Sequence, residues 1–204
     1  MTNIKENIAC AILAGGKSKR MNGVNKAMLE VGSCTNLEKI LRLSDKFFSE
    51  IIIVSDEKNL CVNDYKIIRV SDIFKNIGPL GGIHAALTVT TKQAVFFFPG
   101  DMPFIDEKLV ESEIKKFFSI AADIIVPKMG EMIEPLHSIY SSSLKEQLEE
   151  YLTTVEDLAI RKFYADLNVF YWELEQNEHN KKAFFNINTF DDLETARKNN
   201  KLDQ

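Results

Sequence analysis

Five short apolar runs constrain this chain most, because each is too continuous to leave one face in water. Ile8–Leu13 reads IACAIL, 51–55 reads IIIVS, 66–70 reads KIIRV, Ala94–Pro99 reads AVFFFP and 123–127 reads DIIVP. A strand with one wet face alternates apolar and polar residues, whereas a strand covered on both faces need not. Stretches of helical spacing separate the runs. Segment 36–48 sets Leu37, Ile40, Leu41, Phe47 and Phe48 at roughly helical intervals, and 107–119 puts Leu109, Val110, Ile114, Phe117 and Phe118 on one face. Helices are also expected over 82–91, 144–152, 155–164 and 189–198, the last capped by Thr189. Strands are expected at 136–140 and 169–174, and loops at 129–134 and 173–182. This alternation predicts an α/β chain with a three-layer α/β/α architecture and an open, mostly parallel, Rossmann-like sheet. Ligands of such sheets collect outside the carboxyl ends of the strands, so the residues after each apolar run are where chemistry is to be sought.

Length and composition narrow the classes. With 204 residues, 45% of them hydrophobic and 27% charged, the chain suits one soluble domain over 1–204. No apolar stretch is long enough for a membrane helix, and the start, MTNIKENIACAIL, reads as a first strand and not an export signal. The expected location is cytoplasmic. A net charge of −5 gives the surface as a whole no attraction for nucleic acid or anionic lipid, so any anion site must be local. Cys10, Cys34 and Cys61 form no CxxC pair and point to buried or idle thiols in a reducing compartment.

Such a local site follows the first run. In AILAGGKSKRM, Gly15 and Gly16 let the backbone approach a ligand closely and form an amide nest for an anion. Lys17, Lys19, Arg20 and, further on, Lys26 add positive charge; Arg can grip a phosphate with two parallel hydrogen bonds. A loosened Walker A reading, Ala11-(x4)-Gly16-Lys17-Ser18, competes, with Lys17 as its essential cation. It wants glycine at 11 and a loop where 11–13 read as strand interior.

The whole segment LAGGKSKRMNGVNKAML resembles the nucleotide-binding signature LAGG…RMG…DK of the nucleotidyltransferases with a glycosyltransferase-A-like, nucleotide-diphospho-sugar transferase type of fold. Together with GPLGG, PGDMPF, EPLHSIY and FFNINTFDDL, it is similar to the molybdenum cofactor guanylyltransferase family over most of the chain. The resemblance implies that Leu13, Ala14 and Gly15, with Gly16, hold the nucleotide through their backbone. It also implies that Arg20 and Lys26 neutralise its phosphates. The family usually carries Asp before that lysine and this chain has Asn25, which bears on how Lys26 is oriented.

The other strand ends add candidates. Asp101 follows AVFFFPG, and a lone carboxylate at such a mouth suits Mg²⁺, which keeps waters and takes one or two carboxylates plus substrate phosphates; the resemblance places the family's metal-binding Asp there. Gly78 opens GPLGG at a helix start, where free N–H groups attract anions. Asp72 matches a family aspartate that helps recognise the base; a carboxylate accepts from the ring N–H and amino group of guanine, and cytosine has no such donor pair. Ser55 stands near a strand end where the family commonly has Asn. Asn186 and Asn188 match an NxNT segment and either complete a metal or phosphate shell or cap the last helix. His137, in EPLH, matches a segment near the acceptor; His84 and His179 read as structural or solvated.

The implied reaction is magnesium-dependent transfer of GMP from GTP to the phosphate of molybdopterin, with release of pyrophosphate. Residues 1–105 would form the nucleotide-binding half and 106–204 the acceptor-binding half, with transient contact to proteins that deliver or receive the cofactor. Cytidylyl transfer, transfer to another phosphorylated metabolite, and a non-catalytic nucleotide sensor on the same fold remain open at this point.

Overall fold

Ile8–Leu13 forms the first strand, β1, and its alternation explains the layers. Ile8, Cys10 and Ile12 face one side of the sheet with Phe96 and Phe98, while Ala9 and Ala11 face the other with Val95 and Phe97. Both sides are buried, as an unbroken apolar run requires. The computed structural model describes residues 4–15, 19–57, 60 and 65–202.

A short helix, α1 (Ile4–Asn7), precedes β1. It is followed by α2 (Asn36–Phe47), β2 (Glu50–Val54), β3 (Ile67–Val70), α3 (Pro79–Val89), β4 (Ala94–Pro99) and α4 (Glu107–Phe117). The second half contains β5 (Ile124–Met129), β6 (Met132–Ile133), β7 (Ser138–Ser141), α5 (Lys145–Thr154), α6 (Ile160–Phe163), β8 (Val169–Glu173), α7 (Glu178–Ala183) and α8 (Phe190–Leu202). Helix α2 starts at a capping box in which the Thr35 hydroxyl accepts from the Glu38 N–H and the Glu38 carboxylate accepts from the Thr35 N–H. It buries Leu37, Ile40 and Leu41 against the Phe96 face, beside Val110, Ile114 and Phe117 of α4. Leu80 and Ile83 of α3, with Leu148 and Leu152 of α5, cover the opposite face. Among the described residues no helix is long and apolar enough to cross a membrane.

The sheet runs β3-β2-β1-β4-β7-β5-β6, with β8 paired to β5. Strands β1 to β4 are parallel; β7 runs antiparallel to both β4 and β5, and β8 parallel to β5. From β1 the chain builds outward through β2 and β3, then returns to set β4 on the other side, with α2 and α3 on opposite faces. The carboxyl ends of β1 and β4 therefore border a crevice at a topological switch point.

Three expectations from the sequence are corrected. Segment 155–164 is not one helix. Val155 is extended at the end of α5, and the Asp157 carboxylate accepts from the Ala159 N–H, so α6 restarts only at Ile160. A short polar side chain here offers the backbone an alternative to helix. Segment 129–134 is a hairpin, turned at Gly130 with a φ of 60°, and not a plain loop. Segment 173–182 holds the start of α7, whose cap is the Asn177 side chain accepting from the Asn180 N–H.

The end of β4 is locked to β1. The Gly100 N–H donates to the Leu13 carbonyl at 3.1 Å, and a Cβ at this glycine would lie 2.8 Å from the Ala27 Cβ and 3.0 Å from the Leu13 oxygen. Those neighbours are core and backbone and cannot yield cheaply. Gly100→Ala is expected to lose about 1–3 kcal/mol of stability, read as a lower urea midpoint; a midpoint equal to the parent's contradicts this packing.

Candidate active site

Four loops leave the carboxyl ends of β1 to β4 and enclose a cavity of about 460 Å³. Beyond β1, Ala14 is held by three neighbours. Its N–H donates to the Val54 carbonyl at 3.1 Å, and its own carbonyl accepts from Asn25 Nδ2 at 3.1 Å and Ser55 Oγ at 3.4 Å. Asn25 also caps the single 3₁₀ turn that carries Lys26, its Oδ1 accepting from the Ala27 N–H at 3.0 Å. The asparagine thus does two jobs at once: its amide donates to Ala14 while it caps, which an ionised carboxylate in its place could not do. Lys26 stays oriented without a carboxylate before it.

Lys26 is the junction of the site. Its ammonium donates to Asp101 Oδ2 at 3.0 Å and to Asn188 Oδ1 at 2.7 Å, so the loops after β1 and β4 and the segment before α8 meet on one cation. The Lys26 and Asp101 side chains are 20% and 22% exposed, a half-screened setting in which charge counts for more than at an open surface. The Asp101 carbonyl accepts from the Ile187 N–H at 2.9 Å, which fixes the strip bearing Asn188.

The site residues expected from the sequence divide as follows. Leu13, Ala14, Gly15, Lys26, Ser55, Asp72, Gly78 and Asp101 all line the cavity, and Asn188 reaches its Lys26. Gly16 lies outside the described residues, as do Lys17 and Cys61. Ala11 is interior to β1, so the Walker-like window opens on strand and not on a loop. Arg20 is not brought to the cavity: it sits exposed on the 3₁₀ turn Lys19–Met21 and contacts no carboxylate among the described residues. Asn186 folds back, its Nδ2 donating to the Phe184 carbonyl at 3.3 Å. Thr189, not Asn188, caps α8, accepting from the Asp192 N–H at 3.1 Å.

His137 is corrected. It is buried, boxed by the rings of Phe96, Phe98 and Phe184 at 5.1–5.4 Å between centroids. Its neighbour Leu136, in the turn before β7, takes the place on the cavity wall. Behind His137 lies Glu113, fully buried, with Nε2 and Oε2 3.7 Å apart and neither carboxylate oxygen hydrogen-bonded. Burial pushes Glu113 well above the usual carboxyl value and His137 down to about 3; in both it favours the uncharged form. His84 is buried against Phe74 and His179 is exposed beside Asp106.

Sequence reasoning passed over several contributors. Asn36 is fully buried and its Nδ2 donates to the Lys26 carbonyl at 3.1 Å; a polar residue on the inward face of an amphipathic helix was the available signal. Glu134 is another. It lies within electrostatic reach of Asp101. Burial, and then the Asp101 charge, push Glu134 up to about 7. Lys75, Asn76 and Asp56 complete the far end of the cavity. Asp72 is half-buried there, raised from its ordinary value by burial first and then by the charge of Asp56.

A family model described as the MobA-like NTP transferase domain matches residues 10–170, a span that holds the cavity and its Lys26–Asp101 junction. The chain belongs to the MobA-like NTP transferase family. It is a nucleotidyltransferase, and its sheet is of the nucleotide-diphospho-sugar transferase type. It is 33% identical to a probable molybdenum cofactor guanylyltransferase of Natranaerobius thermophilus, over 95% of this chain and 96% of that one. It is 36% identical to a protein of the same description from Peptoclostridium acidaminophilum, over 89% and 85%. The crystal structure of molybdopterin-guanine dinucleotide biosynthesis protein A from Archaeoglobus fulgidus superposes with a TM-score of 0.77 at 27% identity, covering 93% of this chain and 97% of that one.

In this MobA-like site the donors suit a hard divalent cation: the Asp101 carboxylate and the Asn188 amide oxygen, both all-oxygen and both already drawing a cation, the Lys26 ammonium. No group of three or more His, Cys, Asp or Glu able to hold a metal exists among the described residues, so waters and substrate phosphates would complete the shell.

The buried Glu113 gives a pH signature. A carboxyl whose folded-state value is raised contributes stability below about 4.5 and loses it as pH climbs toward the raised value, by about 1.4 kcal/mol per pH unit in between. His137 acts in the opposite sense, losing its contribution as pH falls from 6.5 toward about 3. Glu113→Gln stays neutral throughout and is expected to lose less stability than the parent as pH rises above about 4.5 in urea titrations; parallel losses contradict a Glu113 raised by burial.

Proposed function

We propose that the chain transfers GMP from GTP to the phosphate of molybdopterin, releasing pyrophosphate and forming a guanine dinucleotide cofactor. Relatives that bear the name molybdenum cofactor guanylyltransferase along nearly their whole length support the reading. The observation that carries it is the Lys26–Asp101 junction at the mouth of the β1/β4 crevice. A phosphate oxygen of the acceptor attacks the α-phosphorus, the bond from that phosphorus to the α–β bridging oxygen breaks, and pyrophosphate departs. The attacking oxygen is anionic near neutral pH, so the obstacle is the meeting of two anions and the charge that gathers on the leaving group.

This chain's groups answer that obstacle. Lys26 places a cation against the phosphates, fixed by the Asn25 cap and the Asn36 tether. Ala14 and Gly15 present backbone to the nucleotide. Asp101 and Asn188 would hold Mg²⁺, which when bound neutralises phosphate charge. Leu136 lines the cavity from the second half, where the acceptor enters; residues 1–105 thus serve the nucleotide and 106–204 the acceptor, within one domain working in the cytoplasm. Arg20, outside the cavity, is given no part in the chemistry.

With GTP, CTP, ATP and UTP offered alongside molybdopterin and Mg²⁺, pyrophosphate release is expected with GTP at least tenfold above the others; equal use of CTP contradicts guanylyl transfer. Lys26→Ala and Asp101→Ala are each expected to lower kcat/KM by two to three orders of magnitude, about 3–4 kcal/mol, with the fold intact by circular dichroism. Near-parent turnover in either variant contradicts the assignment.

A further inference from the structure

The cavity wall is uneven in its origins. Leu136 alone among the described residues of 106–204 lines it, so the acceptor side of the site depends on where one leucine is held. Leu136 sits in a turn. The His137 N–H donates to the Glu134 carbonyl at 3.1 Å, which closes a four-residue turn with Pro135 and Leu136 at its two central positions. Two further bonds fix the start of that turn. The Glu134 N–H donates to the Pro127 carbonyl at 3.0 Å, and the Glu134 carbonyl also accepts from Ser138 Oγ at 2.6 Å.

The peptide between Pro135 and Leu136 is the part those bonds leave free. Turns of types I and II share their ends and differ by a flip of that central peptide. Type II needs a positive φ at Leu136, and among the described residues positive φ outside glycine occurs only at Asn22 and Asn76. One side chain grips the carbonyl that a flip would turn away: Tyr140 Oη donates to the Pro135 carbonyl at 2.8 Å. A carbonyl only accepts, so the Tyr140 proton is committed there, and in the hydrogen bond between Tyr140 and Tyr164 the donor is Tyr164. Both rings are buried, with Tyr140 set edge-on to Phe97. Burial pushes both phenols above their ordinary value, which keeps the two protons in place. The relay thus runs from the 3₁₀ turn after α6, through β7, to the cavity wall.

We propose that Tyr140 is a positioning residue for the acceptor: its hydroxyl, backed by that of Tyr164, holds the Pro135–Leu136 peptide so that Leu136 forms the acceptor's apolar wall. The inference rests on the guanylyl reading above and deepens it. An apolar wall touches the acceptor alike before and during transfer, so its loss enters KM for the acceptor and spares kcat. The nucleotide rests on the loops after β1 to β4 and does not depend on this turn. Phenylalanine at 140 keeps the ring and its core packing and removes only the hydroxyl, which releases the central peptide of the turn.

The test is steady-state kinetics with molybdopterin varied at saturating GTP and Mg²⁺, beside equilibrium GTP binding and urea midpoints. The proteins are the parent, Tyr140→Phe, Tyr164→Phe, Leu136→Ala and the double variant Leu136→Ala/Tyr140→Phe. Tyr140→Phe is expected to raise KM for molybdopterin about tenfold, with kcat and the GTP dissociation constant within about twofold of the parent. Tyr164→Phe leaves the Tyr140 ring and its bond to Pro135 in place, reads the relay free of any packing change at 140, and raises that KM about two- to threefold. Leu136→Ala raises it as Tyr140→Phe does, and the double variant matches Leu136→Ala alone, since the hydroxyl acts through the leucine. Unchanged KM in the two tyrosine variants, GTP binding weakened in parallel, or single effects that multiply in the double variant overturn the positioning role and leave guanylyl transfer standing. A parent that releases no pyrophosphate from GTP with molybdopterin overturns both.

Discussion

One lysine holds this site together. Lys26 lies between Asp101, which ends the β4 loop, and Asn188, which precedes α8, so a single ammonium joins segments 75 and 162 residues away in sequence. Its reach depends on what lies below it. The Asn25 cap sets the turn, Asn36 grips its carbonyl from α2, and Gly100 brings β4 within a hydrogen bond of β1. Each of these is a short-range interaction of ordinary strength. Their joint effect is that positive charge stands where two parallel strands part, which is where an open sheet leaves room for an anionic ligand.

The rest of the molecule reads as support for that crevice. Apolar alternation in β1 and β4 buries both faces of the sheet, which makes the strand ends the natural opening. Reversal of β7 against β4 brings the Glu134–His137 segment alongside the Asp101 loop. In that segment one side serves the core, through His137 in its aromatic box, and Leu136 serves the cavity. The division of labour along four residues explains why a polar motif need not place every polar member in the site.

Much of this was legible from the sequence, because the strongest signals were local. Unbroken runs such as AVFFFP announce doubly buried strands, and glycine and charge clustered after them announce the mouth of the sheet. Lys26, Asp101 and Asp72 could be named from strand-end position and family likeness before any geometry was known. What escaped depended on pairing between distant segments. The antiparallel return of β7, the nearness of Glu134 to Asp101, and the burial of His137 beside Glu113 depend on how distant segments meet, which no window of ten residues encodes. Arg20 illustrates the converse. Its charge and spacing match the motif, while the structure sets it exposed on a one-turn helix and not among the residues that line the cavity. Asn25 departs from the family's Asp, yet it both caps the Lys26 turn and tethers Ala14.

The account stands or falls on where a triphosphate sits. Crystals grown with GTP and Mn²⁺, examined for anomalous scattering, address this directly. The prediction is a metal peak beside the Asp101 carboxylate, the triphosphate over Ala14 and Gly15, and the Lys26 ammonium transferred from Asp101 to a phosphate oxygen. Nucleotide bound elsewhere, or bound with Lys26 still paired to Asp101 and no metal peak there, would contradict it.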